Sequence, residues 1–277
     1  MFSVLLPIYF QDDPQLLSIA IHSIWNDQTV KPGEVVLVLD GPIPDYLQSE
    51  VTKWAYVIGD KLKIIPIEKN VGLGAALNIG LKNCSFELVA RMDADDVSLP
   101  YRFERQLSAF EQSPEVDIVG GAAIEIDESG NDIGFREMPV SHEDIISAIW
   151  AAPVIHPSVM YRRDAILGIG GYDDNLTRRQ DYELWFRCAK IGLQFRNVYE
   201  PVVKYRFTRS THAKQPVKLA FKQAMIGYRG SRDLNLEFWK RVACFYPFFR
   251  SLLPIGLQVF LYRIVSFLDP RKRNQRK

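Results

Sequence analysis

From Phe2 onward, short apolar, β-branched runs alternate with segments of helical periodicity, and few folds accommodate that alternation. Strand-like runs at residues 3–8, 34–39 and 62–66 are separated by helical patterns at 14–26 and 44–54, giving βαβαβ. In the first helix Asp13 is placed to cap and Pro14 to occupy the first turn, while Leu17, Ala20, Ile21 and Ile24 share one face. A helix at 72–82, a strand at 88–92 and a helix at 101–112 continue the pattern. Strands joined by helical crossovers predict an α/β, Rossmann-like, mostly parallel sheet flanked by helices. After Val116 the pattern changes: residues 117–126 and 132–135 flank Asp127-Glu128-Ser129-Gly130, which reads as a hairpin turn, so the sheet is expected to become mixed. No repeat or low-complexity linker intervenes. One domain is expected over residues 1–212, followed by a helical, basic segment over 213–277.

A chain of 277 residues with 47% hydrophobic content can bury one large core and has no room for a second catalytic domain. Cys84, Cys188 and Cys244 are odd in number and form no CxxC, which argues against a disulfide framework or a zinc site. The first apolar run ends at Pro7 without a basic start, so it does not read as a signal peptide, and a cytoplasmic location is expected. Charge is uneven: residues 236–277 carry +7, leaving −6 for the rest. An acidic body with a basic tail argues against a nucleic-acid groove and for a local anionic partner. Residues 245–268 are apolar and aromatic but interrupted by Pro247, Arg250, Pro254 and Arg263, a poor spanning helix and a better interfacial one. Arg271-Lys272-Arg273 and Arg276-Lys277 would meet anionic lipid on the inner face of the cell membrane. A helix packed on the domain explains the same residues without a membrane.

Five features carry chemistry. Asp93-Ala94-Asp95-Asp96 follows the apolar run Leu88-Val89-Ala90, with Arg91 and Met92 between, at the carboxyl end of a strand, where open α/β sheets bind ligands. Crowded carboxylates repel unless a cation joins them, and hard oxygen ligands suit Mg²⁺ or Mn²⁺; a solvated loop is the plainer reading. Asp40, ending Val35-Val36-Leu37-Val38-Leu39, is placed for a base or ribose hydroxyl, or merely for the turn before Gly41-Pro42. In Glu68-Lys69-Asn70-Val71-Gly72-Leu73-Gly74 the glycines allow close backbone approach to a nucleotide, or only a tight turn. GxGxxG and GK[ST] are absent, which disfavours hydride-transfer enzymes and P-loop proteins. Asp181 opens an amphipathic helix, as its cap or as a general base at a pocket mouth. His156-Pro157-Ser158 offers an imidazole for metal or phosphate, or a packed histidine.

In order, Leu6-Pro7-Ile8-Tyr9, Val38-Leu39-Asp40-Gly41, Asn70-Val71-Gly72, Asp93-Ala94-Asp95-Asp96, His156-Pro157-Ser158 and Gln180-Asp181-Tyr182-Glu183-Leu184-Trp185 resemble the family 2 glycosyltransferases of the GT-A fold. The resemblance spans about residues 1–212 and is greatest to bacterial enzymes building O-antigen, capsule or exopolysaccharide. It implies a UDP-sugar donor, a lipid-linked saccharide acceptor, a divalent metal and inversion at the sugar. It also implies roles: Pro7, Tyr9, Asp40 and Asn70 for the nucleotide; Asp95 as principal metal ligand; Asp93 for ribose or metal; Asp96 for the donor sugar; His156 near the diphosphate and metal; Asp181 as base. Many relatives carry arginine where this chain has Leu77, and Lys69 or Arg91 is the expected substitute. Arg178, Arg179 and Arg206 are further candidates for phosphate or acceptor.

Overall fold

In the computed structural model, which describes residues 1–207 and 216–254, strand β1 (Phe2–Ile8) is buried along its whole length. With β2 (Glu34–Leu39), β3 (Leu62–Pro66) and β4 (Leu88–Arg91) it forms a parallel set in which β1 lies between β2 and β4. Its side chains alternate. Val4, Leu6 and Ile8 enter the layer covered by α1 (Pro14–Trp25) and α2 (Asp45–Ile58), whereas Leu5 enters the opposite layer with Val36, Val38 and residues of α3 (Leu73–Asn83). Burial on both faces is why these strands read as unbroken apolar runs. Asp13 caps α1 as expected, accepting from the backbone N–H of Gln15 at 2.7 Å and of Leu16 at 3.1 Å.

The second half is mixed, also as expected. The strands β5 (Val97–Ser98), β6 (Ile118–Ile126), β7 (Asp132–Arg136), β8 (Met160–Arg162) and β9 (Phe195–Arg206) extend the sheet in the order β3-β2-β1-β4-β8-β6-β9-β5, with β7 on β6. Strand β8 runs antiparallel to β4 and β6, and β9 runs parallel to β6. In the β6–β7 turn Asp127 Oδ1 accepts from the backbone N–H of Ser129 and Asn131, both at 2.9 Å, and Gly130 supplies φ 88°. The helices α4 (Arg102–Gln112), α5 (His142–Ala148), α6 (Arg163–Gly168) and α7 (Gln180–Lys190) complete the layers.

Pro7 sits in the middle of the sheet without a backbone N–H, normally a defect there. Pairing of β1 with β4 stops at Leu5 opposite Arg91, so on that side Pro7 faces no strand that needs a donor. There β4 turns away into the acidic loop, leaving a crevice at the carboxyl ends of the strands.

The C-terminal helices α8 (Val217–Asp233), α9 (Phe238–Ala243) and α10 (Tyr246–Ser251) follow. Helix α8 lies against α7 so closely that a Cβ at Gly227 would press on the Tyr182 hydroxyl and one at Gly230 would collide with the Phe186 ring. The expected boundary at 212/213 and the basic terminus after residue 254 lie outside the described residues. No described helix is long and apolar enough to cross a membrane.

Helix α3 is positioned by Gly80, where a Cβ would collide with Leu5 Cδ1 and Val38 Cγ2. A glycine-to-alanine change inside a helix normally stabilises by about 1 kcal/mol. Gly80→Ala is expected instead to destabilise by roughly 1–3 kcal/mol through overpacking. Urea unfolding measures it; a stabilised variant would show that α3 can move away from the sheet.

Candidate active site

The acidic loop is held from below by a buried cation. Arg102, 1% exposed, donates through Nη2 to the carbonyl of Arg91 at 2.7 Å and of Val159 at 3.3 Å, and through Nε to Gln106 Oε1 at 3.1 Å. Gln106 Nε2 reaches the carbonyls of Val119 and Ser158, both at 2.8 Å. Between them the two side chains satisfy carbonyls of β6, the end of β4 and the segment around Ser158, where the strands diverge and the ladder cannot. Burial, then the charge of Arg91, pushes the Arg102 pKa down. Neither residue was legible as special in sequence, since both sit on an ordinary amphipathic helix.

Above this support, one carboxylate oxygen from each of Asp93, Asp95 and Asp96 lies within 4.8 Å of the others. Asp93 is ion-paired with Nη2 of the buried Arg91. Asp96, 1% exposed, accepts from the Arg206 backbone N–H at 2.8 Å through Oδ1, while Oδ2 is buried without a partner. Burial first, then Asp93, raises the Asp95 pKa to about 6; burial, Asp93 and Asp95 push Asp96 well above the usual carboxylate range. An orphaned carboxylate oxygen amid mutually repelling carboxylates fits a hard divalent cation.

A fourth carboxylate belongs to this neighbourhood and was missed. Asp12 lies after β1, where it accepts from the Tyr9 N–H at 2.8 Å. Burial, opposed by that hydrogen bond and reinforced by Asp95 and Asp93, raises its pKa to about 7. In sequence Gln11-Asp12-Asp13 stands where a sugar nucleotidyltransferase would carry a Gly- and Arg-rich loop, and only Asp13 has a role there, as a helix cap. Tyr9, partly exposed, shares the same field: burial, Asp12 and Asp95 raise its pKa.

The other predicted residues divide. Pro7 is buried within β1 and offers a site little besides its backbone. Asp40, 5% exposed, accepts from the backbone N–H of Val71 at 2.7 Å and Gly72 at 3.0 Å and from Asn70 Nδ2 at 3.1 Å. Its carboxylate therefore ties β2 to the glycine loop, and Asn70, though exposed, is spent on the same tie. Leu77 is fully buried beneath α3, so an arginine there could not simply replace it; Arg91 is buried too, leaving only Lys69 of the expected substitutes exposed. Arg206 departs from its expected role: Nε holds the Asp95 carbonyl at 2.7 Å and Nη1 the carbonyls of Asp127 at 2.9 Å and Glu128 at 3.0 Å. It ties the acidic loop to the β6–β7 turn.

Asp181 is not the cap of α7. That position belongs to Arg179, in the left-handed conformation at φ 66°, a strained geometry for a side chain of its size. Asp181, partly exposed in the first turn, makes no hydrogen bond or ion pair among the described residues. It lies on the same side as the acidic loop: the Tyr205 hydroxyl, raised to about 12, feels burial first, then Asp96 and Asp93, and also Asp181. His156 stands apart from the carboxylate triad. Its Nε2 is 2.9 Å from the Tyr172 hydroxyl, and its ring abuts Tyr172 and Trp185. The expectation of a metal ligand meets a nitrogen already engaged by a tyrosine.

A carboxyl whose pKa is raised by folding binds its proton more tightly in the native state than in the unfolded chain, where the value is about 3.9. Stability from Asp12 and Asp95 is thus full below about pH 4 and is lost as pH rises through 6 and 7. Asp12→Asn with Asp95→Asn is expected to gain stability over the parent, by on the order of a few kcal/mol at pH 8 and little at pH 4. Thermal unfolding without metal measures the difference; a gain independent of pH would contradict the electrostatic account.

A family model described as Glycosyl transferase family 2 matches residues 3–200. The chain is 41% identical over 277 residues to the amylovoran biosynthesis glycosyltransferase AmsE of Erwinia amylovora, across 95% of this chain and 98% of that protein. It is 30% identical over 273 residues to the Escherichia coli UDP-Gal:alpha-D-GlcNAc-diphosphoundecaprenol beta-1,3-galactosyltransferase, across 95% and 96% of the two chains. In fold it is similar to the crystal structure of S. aureus TarS 1-349 in complex with UDP, with TM-score 0.66 at 18% identity over 90% of this chain and 70% of that one. The GT-A expectation agrees with that likeness. On the family match and the two full-length likenesses, the chain belongs to glycosyl transferase family 2.

Proposed function

We propose that this chain transfers a hexose, of galactose or glucose type, from a UDP-sugar to a hydroxyl of a lipid-linked oligosaccharide, with inversion, in building a surface polysaccharide. The observation that carries the reading is Asp181, a carboxylate with no hydrogen bond or ion pair among the described residues that shares the field at Tyr205 with the acidic loop. The relatives' names, one stating a UDP-galactose donor and a diphosphoundecaprenol acceptor, support the substrate class.

Asp93 and Asp95 would hold Mg²⁺ or Mn²⁺, with Asp96 supporting the loop and contacting the donor sugar. The ion, when bound, would neutralise charge on the leaving diphosphate. The chain's own residues do the rest. Arg91 fixes Asp93 in place. Asp40 and Asn70 hold the glycine loop where a nucleotide base would approach. Asp181 accepts the acceptor's hydroxyl proton, on the face of the sugar opposite the leaving group. Asp181→Asn is expected to keep UDP binding while lowering transfer by about 10²–10⁴-fold. Calorimetry with UDP and Mn²⁺, using Asp95→Ala as control, together with a transfer assay, measures both. Full transfer by the Asn variant would remove Asp181 from its role as base, whereas UDP binding without transfer by the parent would favour a nucleotide-sugar-binding protein.

The division into a catalytic unit, residues 1–212, and a C-terminal membrane-associating unit, 213–277, belongs to the same proposal, with attachment to the inner face of the cell membrane. Phe238, Trp239, Val242, Phe249 and Leu252 are exposed on α9 and in or beside α10, with Arg241 and Arg250 among them. Aromatic groups flanked by cations suit the boundary of an anionic bilayer. The full chain is expected to sediment with anionic vesicles and Phe238→Ser with Trp239→Ser and Phe249→Ser to do so several-fold less. Equal sedimentation with neutral vesicles would remove the electrostatic part.

A further inference from the structure

Helix α8 is seated closely on α7 at Gly227 and Gly230; nearer its start it faces the loop over residues 175–179 that leads into α7, and a cleft opens between the two. Along α8 the cleft is lined by Leu219, Lys222 and Ile226, three and four residues apart and therefore on one face. The loop contributes Leu176, Arg178 and Arg179. That wall is fixed at both ends. Asn78 on α3 donates to the Tyr172 carbonyl at 2.8 Å and to Asp174 Oδ1 at 2.6 Å, and Gln180 is buried against Gly74, where a Cβ would lie 3.3 Å from its Cγ. The three aliphatic side chains are partly buried and the three cations exposed, so the cleft has an apolar floor and a basic rim.

None of the three cations makes a hydrogen bond or ion pair among the described residues, and no carboxylate is among the described residues that line the cleft. The acids just before the loop are spent elsewhere: Asp173 accepts from the Asn175 N–H at 2.9 Å, and Asp174 is held by Asn78. Arg179 takes its place from a left-handed backbone, which persists only where the surroundings impose it. Like charges around one cleft repel, and an anion between them relieves the repulsion. Guanidinium groups suit phosphate oxygens, and an apolar floor suits hydrocarbon. Phe221, exposed on the next flank of α8 and 5.3 Å from the Phe248 ring of α10, continues the apolar surface toward the C-terminal aromatics.

We propose that this cleft binds the phosphate end of the lipid-linked acceptor. Arg178, Arg179 and Lys222 take the phosphate oxygens, while Leu176, Leu219 and Ile226 cover the first carbons of the lipid chain. Helix α8 is then one wall of the acceptor site, and Asp181 lies two residues beyond Arg179 at the start of α7. The assignment to an acceptor rests on the function proposed above; the site for an amphiphilic phosphate does not.

Calorimetry on the full chain without metal tests this, with decyl diphosphate below its micelle concentration set beside inorganic diphosphate and decyl glucoside. Decyl diphosphate is expected to bind at least about tenfold tighter than either control, and Arg178→Gln with Lys222→Gln to weaken it by about tenfold per cation. The same variant should bind UDP with Mn²⁺, and sediment with anionic vesicles, within about twofold of the parent; the single Gln variants serve if the pair does not fold. Decyl glucoside binding as tightly as decyl diphosphate removes the phosphate contact, and inorganic diphosphate binding as tightly removes the apolar floor. Unchanged affinity in the variant, or an equal loss for UDP or for vesicles, overturns the proposal by freeing the cations or assigning them to the donor or the bilayer. If the parent binds a glycosylated decyl diphosphate with these dependences yet transfers no sugar to it, the transferase reading falls and the amphiphile site stands. Transfer with an acceptor KM that the variant leaves unchanged keeps the transferase and overturns the cleft.

Discussion

Two buried guanidinium groups and one acidic loop balance each other, and the site depends on that balance. Arg91 and Arg102 lie side by side at 1% exposure, an arrangement that would be untenable without negative charge nearby. Asp93 pairs with Arg91, whose pKa is raised despite its burial, and the charge of Asp96 partly opposes the lowering of the Arg102 pKa. The carboxylates in turn are crowded beyond what two cations relieve, as the raised pKa values of Asp95 and Asp96 and the orphaned oxygen of Asp96 attest. The cluster is therefore held in place from below and left short of positive charge above, on the side open to a ligand. Rigidity and the local deficit of positive charge arise from the same residues.

The parallel half of the fold could be read directly from the sequence because both faces of β1 and β2 are buried, which writes uninterrupted apolar runs, and because Asp13-Pro14 marks a helix start by local chemistry alone. The acidic loop was visible for a related reason: three carboxylates follow an apolar strand at the sheet edge where open α/β folds bind ligands. Asp12 was not, since one acid in a loop carries no pattern, and its significance comes from the proximity of Asp93 and Asp95, more than eighty residues away in the chain. Arg102 and Gln106 were hidden too, because polar residues on an amphipathic helix are ordinarily taken for its wet side; here they turn inward to carbonyls that the diverging strands leave unmet.

Roles that depend on which atom faces which neighbour shifted most. Asp40 and Asn70 bind each other and the glycine loop, so what their side chains fix is the backbone of that loop. Arg206 spends its hydrogen bonds on three carbonyls and becomes a brace between two loops. In each case the residue type was right for a polar site, and the missing information was the partner.

The seat of α8 on α7 changes what the C-terminal segment is. Gly227 and Gly230 let α8 lie directly on Tyr182 and Phe186, the side chains on the far flank of the helix that carries Asp181. That helix is thus sandwiched between the sheet and α8, with no outer surface of its own to give to water along that flank. The C-terminal helices are therefore part of the folded body, and a chain shortened before Val217 would leave Tyr182 and Phe186 without the cover of α8.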